Sequence, residues 1–374
     1  MPFDRIRDQR VQIAKEDSDD NYFNSLMYMG EMLVKLSAIG LVAGVNEDRD
    51  RHRYRQTYQL VRANGIGEWS QVIDEVLTGV ASQYLIPQAR DEQTDLTKIQ
   101  KEGTWQYDSV VLLDECLHIV DSNHEITSHK IAGRSWYSKF AQLRNSTRGH
   151  CALPSGIVSE ICARLSKSID IFVENFVLFK RPWAYLYQNL SGKYRVIKWT
   201  EGAAILDTLK TRMDVRVNIS NGVHIFFGNT EKFDAGKHLD ELRIVDLISS
   251  DVDAIDFFFA NGGFNGRTYE MLSYITGNRK EVDCKPYLAP IINLPPSETQ
   301  GLDNLDVRGE SLVTLPPIQQ GYIHRDKLEE VLYDELSQSN FHRIVTLVGR
   351  GGIGKTWLAL NVLNRIATEE KFTA

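Results

Sequence analysis

Ile344-Val345-Thr346-Leu347-Val348-Gly349-Arg350-Gly351-Gly352-Ile353-Gly354-Lys355-Thr356 is an apolar run followed by a glycine-rich loop that ends in Lys and Thr. The run at 344–348 is rich in β-branched residues and short, which predicts a buried parallel strand. Residues 349–356 fit G-x-x-x-x-G-K-[ST] at every fixed position. Beyond them Leu358, Val362 and Ile366 recur every four residues without an intervening Pro or Gly, which predicts a helix over 357–366. Strand, loop and helix in that order suit phosphate. Glycines let successive backbone N–H groups curl round an anion with no Cβ in the way. The helix N-terminus turns its partial positive charge toward the same anion.

The candidate nucleotide-binding residues are therefore Gly349, Gly351, Gly352, Ile353, Gly354, Lys355 and Thr356. Lys355 would reach the β/γ-phosphates of ATP, and the Thr356 hydroxyl would ligate Mg²⁺ once a complete NTPase domain is present. After residue 366 no strand with a terminal acidic residue follows to hold the metal or position water. The expectation is a P-loop nucleotide-binding domain that opens near residue 321 and is truncated at 374. In this chain the loop would bind phosphate weakly or pack on its neighbours. A chance match of a glycine-rich loop is the alternative, and the flanking strand and helix patterns argue against it.

Composition bounds the rest. At 374 residues, a soft prior of ~150 residues per domain predicts two or three domains. Hydrophobic content of 42% and charged content of 25% are ordinary for a globular protein. A net charge of −7 excludes a chain-wide basic footprint for nucleic acid but is compatible with a local basic patch. Cys116, Cys151, Cys162 and Cys284 are widely spaced, with no C-x-x-C pair, so neither a zinc site nor a disulfide framework is indicated. Reduced thiols, and an N-terminus (MPFDRIRDQR) without an apolar signal region, point to a cytoplasmic protein. The uncharged apolar stretch at 36–45 is too short to span a bilayer, so no membrane association is expected.

Along the chain, residues 1–20 are polar and end in the acidic run Glu16-Asp17-Ser18-Asp19-Asp20. Apolar residues at helical spacing predict helices over about 22–45, 48–63, 68–84, 108–120, 134–147 and 155–179, with 86–106 as a loop. Trp69 and Trp136 fall on apolar faces and are expected in the core. The texture changes at Pro182. Short aromatic and β-branched runs follow at 183–188, 194–199, 223–227, 255–259 and 269–276, cut by turns such as Asn261-Gly262-Gly263. They predict antiparallel hairpins, with a helix at 203–212 among them. Pro295-Pro296 and Pro316-Pro317 mark a linker, and a helix runs on to about Ser337. The fold class expected is multidomain α+β. An all-α bundle (1–182) precedes a β-rich or α+β domain (183–290), a linker (291–320) and the start of an α/β P-loop NTPase domain (321–374).

Leu143-Arg144-Asn145-Ser146-Thr147-Arg148-Gly149-His150 closes the fifth predicted helix. It resembles the motif of the HEPN superfamily, in which an Arg, usually followed by a polar residue such as Asn, precedes a His by four to six intervening residues at the end of a helix in a bundle. Here five residues intervene. The resemblance implies a metal-independent endoribonuclease with Arg144, Asn145 and His150 as catalytic residues. His150 would serve as general base or acid on an RNA 2′-OH or leaving oxygen. Arg144 would bind the scissile phosphate, and Asn145 would orient either. A step of six residues is about 240° round a regular helix, so Gly149 would have to turn His150 back toward Arg144. HEPN ribonucleases pair two copies of the motif, which implies a homodimer or higher oligomer. Inactive HEPN-like domains also exist, and cations at a helix C-terminus are favourable without any function.

Residues 349–356 with Trp357-Leu358-Ala359 resemble the NB-ARC form of STAND ATPases, the class that includes NACHT proteins. Tyr322-Ile323-His324-Arg325 is similar to a short Gly-Arg element of that class, with His324 in place of Gly. Asn265-Gly266-Arg267-Thr268-Tyr269 resembles a connector found beside such helical domains. The resemblance implies an effector released by ATP-dependent oligomerisation, as in bacterial antiphage defence. The competing class is a non-catalytic nucleotide-binding switch whose helical domain only recruits protein partners. Arg51-His52-Arg53-Tyr54-Arg55 reads as a solvated helix face that could touch RNA. His118, His124 and His129 read as loop histidines without metal-site spacing.

Overall fold

Helix α1, Asp19–Ala43, is buried on all sides from residue 29 to residue 43. Its first turn carries Asp19 and Asp20, which complement the helix dipole, and no Pro interrupts it. By length and hydropathy it could cross a membrane, but 94% of the relevant window lies inside the protein, as in a core helix. The computed structural model describes residues 10–16, 18–48, 51–127, 129–148, 155–211, 219–229, 233–250, 256–288, 306–308, 311–313, 315, 322–337, 344–349 and 353–369.

The chain is mixed, with a helical N-terminal region and antiparallel sheets after it. It forms two compact units, residues 1–292 and 293–374. Around α1 stand α2 (His52–Arg62), α3 (Ile66–Thr78), α4 (Arg90–Thr97), α5 (Trp105–Val120), α6 (Ser135–Arg148) and α7 (Ser155–Asn175). Helix α4 lies in a stretch expected to be loop. Its residues RDEQTDLT are nearly all polar, so periodicity cannot reveal it, and only Leu96 and Glu92 are buried. Trp69 and Trp136 are core residues. Trp136 stacks on Phe140 at 5.2 Å and on Phe172 at 4.5 Å. Its indole N–H donates to Ser168 Oγ, which donates to Ser109 O, so α6, α7 and α5 share one buried relay.

Among the described residues of the first unit, eight strands follow the helices. One sheet has the order β4-β3-β5-β6, from β3 (Trp183–Gln188), β4 (Tyr194–Lys198), β5 (Gly222–Phe226) and β6 (Leu242–Ile244). The other has the order β10-β9-β8-β7, from β7 (Ile248–Ser250), β8 (Phe257–Ala260), β9 (Thr268–Ser273) and β10 (Arg279–Asp283). Every pairing within them is antiparallel, as the turn chemistry predicts. The segment expected as a helix at 203–212 is a 3-10 helix, Glu201–Lys210. Its Ala203, Leu206 and Leu209 cover Ala184, Leu186 and Phe226 in a small second core. Two further two-residue strands, β1 (Ile99–Gln100) and β2 (Ile131–Ala132), pair within the helical region.

Helices and sheets share the main core, which runs from Phe23 of α1 through Trp183 and Ile225 to Met271. Arg243 of β6 donates to Ala43 O at 3.1 Å and to Val45 O at 2.9 Å, satisfying carbonyls that the end of α1 leaves open. In the second unit, α8 (Asp326–Ser337) packs on α9 (Lys355–Thr368) through Leu332, Tyr333, Leu358, Val362 and Ile366. A hairpin of β11 (Asp306–Arg308) and β12 (Ser311–Val313) falls in the expected linker. The strand expected at 344–348 is not formed. A parallel strand exists only when paired, no described strand pairs with this run, and Ile344 and Val348 are exposed.

At Gly30 of α1 the Phe140 ring of α6 occupies the space that a Cβ would need. Gly30→Ala should lower unfolding free energy by about 1–3 kcal/mol, opposite in sign to the roughly 1 kcal/mol that Ala gains over Gly in an unobstructed helix. Urea unfolding of the two proteins reads the sign directly.

Candidate functional site

Arg144 and Asn145 sit in the last turn of α6, and Thr147 donates back to Leu143 O at 2.8 Å. The Arg144 Nε donates to Glu31 Oε1 at 3.0 Å, and Nη1 donates to Asn145 Oδ1 at 3.3 Å. Glu31 belongs to buried α1, and its other oxygen accepts from the Tyr274 hydroxyl at 3.3 Å. One turn further along α1, Lys35 donates to Ala260 O at 2.7 Å and to Asn261 Oδ1 at 2.8 Å. Its ammonium lies 5.1 Å from the ring centres of both Trp69 and Tyr274. Glu31, Lys35, Asn64, Trp69, Arg144 and Tyr274 line a cavity of about 40 Å³.

The turn Asn261-Gly262-Gly263 is more than a reversal. Gly262 and Gly263 take φ of +82° and +69°, conformations a β-carbon strains. That lets Asn261 meet Lys35 while its amide donates to Glu270 at 3.0 Å. Lys35 is almost wholly removed from water, and burial pulls its ammonium down to about 7 despite Glu31 and Glu270, with Arg144 adding to the drop.

The structure brings Arg144 and Asn145 together and adds Glu31, Lys35, Asn261 and Tyr274, which sequence reasoning did not assign. A signal for two of them was present. Glu31 and Lys35 are four apart inside an otherwise apolar helix, and buried charges at helical spacing demand partners. Gly149 and His150 lie outside the described residues.

In the second unit, Gly354 takes a φ of +87° and α9 begins at Lys355. The Lys355 ammonium donates to Gly349 O at 2.9 Å, which closes the loop on itself. The Arg325 guanidinium donates to Ile353 O. Thr356 is exposed on the first turn of α9. Arg350, Gly351 and Gly352 lie outside the described residues. Glu329 accepts from the Tyr322 hydroxyl, His324 Nδ1, Arg325 N and Asn361 Nδ2, all within 3.2 Å. His324, Asp326 and Glu329 offer ligand atoms within 4.8 Å of one another. With four donors already on Glu329, the cluster reads as a hydrogen-bonded strut rather than a cation site.

Other sequence expectations resolve differently. His52 and Arg53 are buried, so Arg51 to Arg55 is not a solvated face throughout. His52 Nδ1 lies 2.9 Å from Asp48, and Arg53 donates to Ile244 O and Asp246. His118 belongs to α5 rather than to a loop. His124 Nε2 lies 2.8 Å from Asp114, a carboxylate partner that spacing hid, and Lys139 bonds the same group. Burial pushes the Cys116 and Cys162 thiols up to about 12, so neither supplies a thiolate.

The Lys35 shift has a testable sign. The unfolded amine keeps its proton up to about 10.4, whereas the folded one releases it near 7. Between those values the unfolded chain binds more protons, so stability rises with pH across that window, by up to about 1.4 kcal/mol per pH unit. Lys35→Met should remove this rise when unfolding is followed from pH 6.5 to 9.5. Comparison with known protein families, curated proteins and solved structures returns no match.

Proposed function

We propose that the chain is the effector portion of a nucleotide-regulated ATPase of the STAND class, carrying a HEPN-like, metal-independent endoribonuclease switched on by oligomerisation. The observation that carries this reading is Arg144, held by Glu31 beside Asn145 at a polar cavity. A guanidinium fixed through Nε, with one Nη1 hydrogen on Asn145, keeps its remaining N–H groups for a phosphate oxygen pair. In the proposed reaction His150 takes the proton of an RNA 2′-OH, and that oxygen attacks the adjacent phosphorus. The bond from phosphorus to the 5′-oxygen breaks, the protonated His150 returns the proton to that oxygen, and a 2′,3′-cyclic phosphate remains. Arg144 offsets the charge that grows on the non-bridging oxygens. The Lys35 ammonium and Glu31 would hold Arg144 in place by fixing the cavity walls.

Nucleotide control would come from Gly349, Gly351, Gly352, Ile353, Gly354, Lys355 and Thr356. In the complete protein Lys355 would exchange Gly349 O for ATP phosphates, and Thr356 would take Mg²⁺. Oligomers formed on ATP binding would bring two Arg144–His150 motifs together. Cytoplasmic antiphage defence is the setting that best suits such a device.

The test is cleavage of RNA by the triggered full-length protein in the presence of chelator, read as cyclic-phosphate ends. Arg144→Ala and His150→Ala should each lower the rate at least a hundredfold, with folding unchanged by circular dichroism. Undiminished cleavage in either variant sinks the assignment. An ATP-bound oligomer that leaves RNA intact would favour the switch whose helical region only recruits partners. Lys355→Ala should abolish ATP binding and assembly, and retained ATP affinity would contradict the loop assignment.

A further inference from the structure

We infer a second ligand site at the outer end of the first sheet, one that takes a nucleobase carried on phosphate. The inference goes beyond the ribonuclease reading and does not depend on it. A cavity of about 430 Å³ opens there, lined by Tyr185, Tyr187, Lys193, Tyr194, Arg195 and Lys210, with Asn189 at its rim. That volume falls in the range of small-molecule sites and admits a mononucleotide.

Strand register builds the site. Along one face of β3, Trp183, Tyr185 and Tyr187 alternate outward from the shared core toward solvent. Trp183 is fully buried, Tyr185 is half-buried, and Tyr187 is 45% exposed. The solvated end of such a face ordinarily turns polar; here it presents an aromatic ring instead. Arg195 of β4 stands directly opposite Tyr187 in the ladder. The β3–β4 turn is held by Asn189, whose Oδ1 accepts from Ser191 N, Ser191 Oγ and Lys193 N. Gly192 in that turn has a φ of +76°. The Lys193 backbone is thereby fixed at the rim. The Tyr194 hydroxyl donates to Ile219 O and accepts from Ile219 N, which locks that ring in place.

The charges point the same way. Among the described residues three cations and no carboxylate line the cavity, in a chain whose net charge is −7. Asp207 pairs with Lys210 at 2.8 Å and Lys198 at 3.2 Å, so one anion is shared by two lysines. Tyrosine faces stack on bases, and neighbouring cations hold the attached phosphates. A simple anion would make no use of Tyr187, and an acidic peptide would not fill an aromatic-walled cavity. Free mononucleotides and single-stranded RNA share the required chemistry.

The experiment uses the full chain with Lys355→Ala, so that the glycine-rich loop does not contribute. The probes are UMP and AMP by calorimetry, a fluorescein-labelled 2′-O-methyl octauridylate by anisotropy, and inorganic pyrophosphate. The 2′-O-methyl groups remove the nucleophile, so the strand survives any ribonuclease activity. A base-bearing probe should bind. Tyr187→Ala should weaken it about tenfold, while Tyr187→Phe keeps the affinity. Arg195→Ala should weaken binding and reduce the salt slope of the octamer by about one. Equal affinity for UMP and the octamer would identify a mononucleotide site, and much tighter octamer binding a strand site; both support the inference. It is overturned if no base-bearing probe binds at millimolar concentration, if Tyr187→Ala and Arg195→Ala leave binding unchanged, or if pyrophosphate binds as well as UMP. Thermal melting of Tyr187→Ala controls for folding, and the exposure of that side chain makes an unchanged melting curve the expectation.

Discussion

A helix buried on every side needs a partner in every direction. Residues 29–43 of α1 have no solvent face, and helices alone cover only part of that surface. The sheets meet it through Trp183, which packs against Gly40, through Ala260, which accepts from Lys35, and through Arg243, which donates to Ala43 O. Two charged residues sit within this enclosed stretch, so the cover must also be chemically specific. A buried ammonium or carboxylate without partners would cost several kcal/mol. Lys35 finds its acceptors on the β8–β9 connection, and Glu31 finds Arg144 on α6. Burial of one helix thus forces the sheet turn and the end of α6 to converge.

That convergence gives Arg144 its character. A surface arginine at a helix end samples many rotamers, whereas this one is tethered through Nε to a carboxylate that is itself fixed in the core. Glu31 stays paired while Lys35, one turn away, is pulled toward neutrality by burial. The cavity is therefore polar, small and asymmetric in charge, held by groups from three parts of the chain. In the second unit a comparable economy operates on a smaller scale. Lys355 folds onto Gly349, Arg325 braces Ile353, and Glu329 gathers four donors.

Much of this was legible in the sequence. Periodicity located α1, α2, α3, α5, α6 and α7, because each has an apolar face that 3.6-residue spacing exposes. Turn chemistry located the hairpins of β3–β4 and β8–β9. What escaped had no such signal. Helix α4 is polar on most of its surface, β10 is the charged edge strand RKEVD, and β6 and β7 are three residues long. The run at 344–348 reads as a strand by composition, yet pairing rather than composition makes a strand. Arg144 and Asn145 were found by motif. Asn261 and Tyr274 contact residues more than 200 positions away, and nothing local announces them.

The capping of α1 by Arg243 bears on how such a chain can be inherited. Its guanidinium closes the carbonyls of Ala43 and Val45 from 200 residues downstream, and Ala260 closes the ammonium of Lys35 in the same manner. A recombination junction at Pro182, where the composition changes, would part these couples and strand polar groups in a dry interior. The helical region and its sheets therefore depend on each other as one folding unit. A junction near residue 292 keeps every one of those couples together.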